Sequence, residues 1–175
     1  MPSDHPISNS YWVRPGRLLA GEHPGARDYR QSRQRLRRLL EAGVTFFLDL
    51  TEAGEYGLEP YLDVLRAEAL ALGREVEHQR MPIPDRGTPT SGQMIRILDT
   101  IDTALEAGQT VYVHCYAGIG RTGTVVGCYL VRDGKSGQEA LEEIAHLRGE
   151  IPSGWTTSPE TRAQRRMVRD WPEGR

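Results

Sequence analysis

Cysteine is scarce in this chain, with two in 175 residues. Two thiols cannot build the disulfide framework of a small secreted domain, so the core must come from apolar packing, and a reactive thiol would need a reducing compartment. Long apolar runs are missing as well, since none approaches the roughly 18 residues of a membrane-spanning helix. The opening Met1-Pro2-Ser3-Asp4-His5-Pro6 has neither the basic nor the apolar stretch of a secretion signal, so the expected location is the cytoplasm. Charge of one sign is not in excess: the formal net charge is −2, which argues against general nucleic-acid binding. Repeats, low-complexity tracts and long linkers are absent. His5, His23, His78 and His146 show no ligand spacing, so they read as free, solvated histidines, and neither a metal nor a cofactor is expected. What remains is a chain sized for one compact domain, here residues 17–175 after an N-terminal lead-in over residues 1–16.

The lead-in is rich in Pro, Ser and Asn and reads as loosely structured, with Tyr11-Trp12-Val13 docking as an apolar anchor. Arg17 to Gly21 is a short strand candidate. Residues 27–42 read as a helix closed by Gly43. Its arginines outnumber its acids, which suggests a solvated face or, more sharply, a docking surface for an acidic phosphorylated partner. Val44 to Leu50 is a continuous apolar strand of the kind found in a parallel sheet covered on both faces. A helix over Pro60 to Leu72 and a strand over Glu75 to Arg80 follow. Met81 to Pro89 holds three prolines and a glycine and cannot be regular structure. Thr90 with Gln93, and Ser136 with Glu139, are capping boxes that open two further helices. Ser158-Pro159 starts the last one. Strands alternate with helices between residues 44 and 133, which predicts an α/β fold: a mainly parallel central sheet with helices on both faces.

The chemistry concentrates in His114-Cys115-Tyr116-Ala117-Gly118-Ile119-Gly120-Arg121-Thr122-Gly123. A β-branched strand, Thr110 to Val113, precedes it, and an apolar helix, Thr124 to Val131, follows. Ligands in open α/β sheets bind at the carboxyl ends of the strands, where this loop must lie. Gly118 and Gly120 let the backbone turn its N–H groups inward into an anion nest. The helix start adds unpaired donors and the positive end of its dipole. Arg121 adds a planar fork that binds two oxygens at once. The field that attracts a phosphate also stabilises a thiolate at Cys115, the nucleophilic form of the residue.

This stretch resembles the Cys-x5-Arg signature of the cysteine-dependent protein tyrosine and dual-specificity phosphatases. The Leu18-Leu19-Ala20-Gly21 segment after an aromatic pair is similar to the opening of bacterial dual-specificity-like members. Rhodaneses also carry a cysteine and an arginine in such a loop, but their loops match less well and lack an upstream acid. Here the acid candidate is Asp85, thirty residues before the cysteine on the proline-framed loop. Pro82 to Pro89 resembles the acid loop of kinase-associated phosphatases, with Arg86 standing where those carry a small residue. Asp49 and Glu52 are the runners-up, as acid or as supporting groups.

The resemblance implies an enzyme working in two steps. The N–H groups of Tyr116, Ala117, Gly118, Ile119, Gly120 and Arg121 hold the phosphoryl group with the Arg121 fork. Cys115 attacks phosphorus while Asp85 protonates the leaving oxygen, and a water activated by Asp85 then hydrolyses the phosphocysteine. It further implies that Thr122 donates to the departing thiolate and that His114 fixes the loop. Gln164 is a candidate for positioning the water, against the plainer reading of a surface glutamine. Cys128 reads as a core residue, roughly 10 Å along a helix from Arg121 and so out of disulfide reach of Cys115.

The loop interior carries no lysine, whereas relatives acting on inositol phosphates or phosphoinositides usually add basic residues there. The expected substrate is therefore a phosphorylated protein, on phosphotyrosine with phosphoserine and phosphothreonine open, and the expected state is a monomer. The alternatives are an inositol-phosphate or phosphoinositide phosphatase and a non-catalytic phosphopeptide-binding module. Modules of that kind commonly lose the cysteine, the arginine or the acid, and all three are present here.

Overall fold

The computed structural model describes residues 5–175. Five strands form one sheet in the order β1-β2-β5-β3-β4. They are β1 Ser10–Arg14, β2 Leu18–Gly21, β3 Phe46–Asp49, β4 Glu77–Arg80 and β5 Val111–His114. β1 runs antiparallel to β2, and β2, β5, β3 and β4 are mutually parallel. Six α-helices connect or follow them: α1 Tyr29–Glu41, α2 Leu62–Ala71, α3 Ser91–Glu106, α4 Arg121–Arg132, α5 Gly137–Leu147 and α6 Arg162–Arg169. The α/β architecture expected from the alternating pattern is the one observed.

Successive strand side chains point to opposite faces, and here that period divides the core in two. Leu18, Ala20, Phe46, Leu48, Val111 and Val113 face the larger layer, with Met94, Ile97 and Leu98 of α3 and Val125 and Val126 of α4. Leu19, Phe47 and Tyr112 face the smaller layer, with Leu36, Leu39 and Leu40 of α1 and Leu65 and Ala69 of α2. Helix α4 is buried on nearly every side. Gly127 permits that: a Cβ there would lie 2.5 Å from a Val168 methyl of α6. Cys128 is fully buried in this helix, as expected, and burial pushes its thiol well above the usual range.

The lead-in is the main correction. Residues 1–4 lie outside the described residues, but Ser10–Arg14 is not loose: it forms the edge strand β1 paired with β2, and Tyr11 is buried. Pairing partners in the next strand decide this, so composition alone misleads. Helix α4 also starts at Arg121 rather than after Gly123. Within α1, Arg33 and Arg37 pair with Glu68 of α2 and Arg35 pairs with Glu22, so much of that charge ties the fold together.

The strand register sets up the site. Gly21, His114, Asp49 and Arg80 are aligned across the carboxyl edge of the sheet. β5 is the central strand, so the loop leaving His114 emerges at the middle of that edge.

Candidate functional site

The segment from Cys115 to Gly120 turns sharply between β5 and α4. Gly118 has φ +72, and a Cβ there would sit 2.4 Å from the Gly21 carbonyl carbon. A side chain is therefore excluded both by backbone conformation and by contact with the end of β2. Donors from outside hold the loop carbonyls. His114 Nδ1 lies 3.1 Å from Cys115 O, and His23 N donates to Tyr116 O at 3.0 Å. Ser158 Oγ donates to Ile119 O at 2.7 Å, and Thr124 donates to Gly120 O through both its N–H and its hydroxyl. The N–H groups of Tyr116 to Arg121, by contrast, find no acceptor among the described residues. Carbonyls tied outward and N–H groups left over are what an anion cradle requires. Helix α4, whose N-cap Gly120 supplies no side-chain cap, adds its positive end.

Arg121 is almost fully buried. Its Nη1 and Nη2 donate to the two carboxylate oxygens of Glu55 at 2.8 and 2.6 Å, and Nη1 also reaches Ile83 O at 3.0 Å. Among the described residues its Nε meets no hydrogen-bond acceptor, so that edge of the fork remains for a ligand. Burial would favour the neutral guanidine, but Glu55, Cys115 and Asp85 outweigh it and hold Arg121 charged. Glu55 was not among the sequence candidates. Its only signal was a carboxylate in the polar loop after β3, on the same sheet edge as the cysteine loop.

Asp85, the acid candidate, lines the same cleft as Cys115 and Arg121. Its Oδ1 lies 3.3 Å from Arg121 Nη2, and its Oδ2 accepts a hydrogen bond of 2.6 Å from Tyr56 Oη. Arg86, the departure from the family pattern, has φ +60 and pairs with Glu160. Gln164 is not a surface residue: it is fully buried, donates to Gly87 O at 3.1 Å and accepts from Thr161 N at 3.0 Å. Arg86 and Gln164 thus tie the acid loop to the start of α6.

The runners-up separate clearly. Glu52 is exposed and does not line the cleft. Asp49 is fully buried, and burial alone would favour its neutral form. The His78 contact, His114 and two hydrogen bonds from Thr51 reverse this and hold it well below the usual carboxylate range. A carboxylate kept ionised cannot donate a proton, so Asp49 serves as a buried support. His23 and His78 are not free solvated histidines either: His23 is buried edge-on to Tyr61 and His114, and His78 sits 3.5 Å from Asp49.

Cys115 is 3 % exposed and lies at the floor of a cleft of about 700 Å³. Asp85, Arg121, Ile119 and Gly120 line it, with Tyr56, Tyr116 and Trp155 as exposed aromatics at the rim. Thr122 is buried beside the loop, and its hydroxyl has no partner among the described residues, leaving that donor uncommitted. Among the described residues, no three His, Cys, Asp or Glu side chains are grouped to hold a metal ion. No helix among the described residues is long and apolar enough to cross a membrane.

The family model for the Swiss Army Knife protein DSP-PTPase phosphatase domain, PTP-SAK, matches residues 7–170. The chain belongs to the dual-specificity-type protein tyrosine phosphatase family. Cyclin-dependent kinase inhibitor 3 of Rattus norvegicus is 32% identical over 108 residues, which is 61% of this chain and 48% of that protein. The chain spans about half the length of such curated relatives, or less. Among solved structures, Tk-PTP in its active form superposes with a TM-score of 0.73 and 26% identity, covering 93% of this chain and 95% of that one. PTPMT1 in complex with PI(5)P gives 0.68 and 23%, covering 93% of each chain, and shows the shared fold.

Proposed function

We propose that the protein hydrolyses phosphate monoesters of phosphorylated proteins through a phosphocysteine intermediate. The observation that carries this is the loop that begins at Cys115: its Cys115, Tyr116, Ile119 and Gly120 carbonyls are tied outward, while its N–H groups find no acceptor among the described residues. A phosphoryl group bound there meets those donors and the free Nε edge of Arg121. The thiolate of Cys115 attacks phosphorus, forming the S–P bond as the P–O bond breaks, and Asp85 gives its proton to the departing oxygen. In the second step Asp85 takes a proton from the attacking water, and the S–P bond breaks. Thr122, with its unpartnered hydroxyl, donates to the leaving thiolate. His114 holds the Cys115 carbonyl and so the loop.

Phosphotyrosine is the favoured substrate. The thiol lies at the floor of a cleft with an aromatic rim, which suits a long, flat phosphoryl carrier, and the loop has no lysine for a polyphosphorylated headgroup. A buried, free catalytic thiol suits a reducing compartment, hence the cytoplasm. The mechanism needs no cofactor and uses side chains of one chain only, so a monomer suffices.

The test is Cys115→Ser, assayed on an aryl phosphate, a phosphotyrosine peptide and inositol phosphates. The expected result is loss of turnover with retained binding of the peptide, because the loop and Arg121 supply most of the affinity. Near-normal kcat in this variant would refute the phosphocysteine. Binding without turnover in the unmodified protein would make it a phosphopeptide-binding module, and wild-type preference for inositol phosphates would reassign the substrate.

A further inference from the structure

The loop after β3 puts two adjacent side chains on the two halves of the chemistry. Glu55 grips the Arg121 fork, and Tyr56 reaches over the cleft to Asp85. Tyr56 has φ +49 and ψ 19, a left-handed conformation that bulky residues seldom adopt, between Gly54 at φ +76 and Gly57 at φ +63. Burial of its ring does not hold it there, since the residue is 67% exposed. Its contacts are the 2.6 Å hydrogen bond to Asp85 and the ring of Tyr116, 5.6 Å away between centroids. A strained residue on an active-site rim whose hydroxyl engages the acid is an outlier that calls for a functional reading.

We propose that Tyr56 is the positioning residue for the acid: its O–H fixes the Asp85 carboxyl and reserves Oδ1 for the proton that reaches the leaving oxygen. This rests on the reading of Asp85 as the acid. The two carboxyl oxygens are not equivalent. Oδ2 faces the rim and accepts from the phenol, whereas Oδ1 faces the Arg121 clamp, where the phosphoryl group binds. The phenol occupies Oδ2, while Arg121 approaches Oδ1 as an ion pair without a hydrogen bond, so Oδ1 is the oxygen left to carry the acid's proton. It passes from Oδ1 to the bridging oxygen as the P–O bond breaks. The carboxylate left behind keeps its bond from Tyr56, and Oδ1 is free to take a proton from the water of the second step.

The bond to Asp85 holds the Tyr56 phenol above its ordinary range. Removing the phenol oxygen should leave the ring in place and loosen the aim of the Asp85 carboxyl.

The experiment compares wild type, Tyr56→Phe, Asp85→Asn and the double variant on a phosphotyrosine peptide and on nitrophenyl phosphate, whose leaving group needs little protonation. Phenylalanine keeps the ring and its contact with Tyr116. Tyr56→Phe should separate the two substrates. Its kcat should fall about 3- to 30-fold on the peptide and less than about 2-fold on nitrophenyl phosphate. In the Asp85→Asn background, Tyr56→Phe should add nothing. Equal loss on both substrates would overturn the proposal, as would a full further loss in the double variant. If Asp85→Asn itself loses equal rate on both substrates, the acid assignment fails and Tyr56 loses its role with it. If Asp85→Asn is selective but Tyr56→Phe behaves as wild type, only the Tyr56 assignment falls.

Discussion

Acidification should destabilise this protein well before its carboxylates titrate, because His114 is built into the fold as a neutral ring. It is fully buried, stacked on Tyr112 and edge-on to Tyr61. Its Nδ1 faces the Cys115 carbonyl, which can only accept, so the proton sits on Nδ1 and Nε2 accepts from Tyr61 Oη at 2.7 Å. A second proton would have to displace the Tyr61 bond. Burial, only partly opposed by Asp49, accordingly lowers the His114 pKa from 6.5 to about 4. The folded value lies below the unfolded one, so on acidification the unfolded chain takes up the proton first. Stability from this group is intact above about pH 6.5, falls as pH drops and levels off below about pH 4. The 2.5-unit gap corresponds to about 3 kcal/mol in full, and to about 2 kcal/mol at about pH 5. His23, lowered in the same direction chiefly by burial, adds to it. Asp49 contributes with the same sign, but only below its unfolded value of 3.8. Urea unfolding should show it: with a slope of about 2 kcal/mol per molar, the midpoint should drop by about 1 M between about pH 7.5 and pH 5. His114→Asn should start less stable and lose much of that slope. A wild-type midpoint that stays flat over this window, or a slope that His114→Asn leaves unchanged, would refute the reasoning.

Two further expectations concern the cradle. Glu55→Gln replaces a bidentate ion pair with a single neutral acceptor, so Arg121 loses its orientation; kcat/KM on an aryl phosphate should fall about 10- to 100-fold, or about 1.4 to 2.7 kcal/mol. Unchanged kinetics would show that Ile83 O and packing alone hold the guanidinium. Gly118→Ala puts a methyl group against the Gly21 backbone at a positive φ, so it should lower stability by about 1–3 kcal/mol and remove most activity. An active variant of wild-type melting temperature would mean that the loop does not need this path.

The parts of the fold legible in the sequence were those with local causes. The apolar strand after Gly43, the glycine-bearing loop and the capping boxes of α3 and α5 depend on residues a few positions apart. The lead-in was not legible, because Ser10–Arg14 becomes a strand only by pairing with β2. Cys115, Arg121 and Asp85 were readable from spacing, and the cleft gathers all three. Glu55 was not, because its meaning lies in a contact 66 residues away with Arg121. Nor was the burial of Gln164, whose amide bridges Thr161 and Gly87 at sequence distances of 3 and 77.

The same contrast explains why ten residues of motif need a whole domain. The loop's amino-acid sequence permits its turn but does not impose it, since each glycine also has other conformations available. The turn is imposed from outside. His114 of β5 holds the first carbonyl, the chain leaving β2 holds the second through His23, Ser158 before α6 holds Ile119, and Thr124 of α4 holds Gly120. Each of those donors is placed by a different element of the sheet and its helices. The Arg121 fork is likewise aimed by Glu55 and Ile83 from two other loops. Donors left unpaired by one segment are therefore kept in place by the satisfied bonds of six others. Preorganisation of this kind does not have to be recreated at each turnover, and this is where fixed dipoles gain their advantage over water around a developing charge.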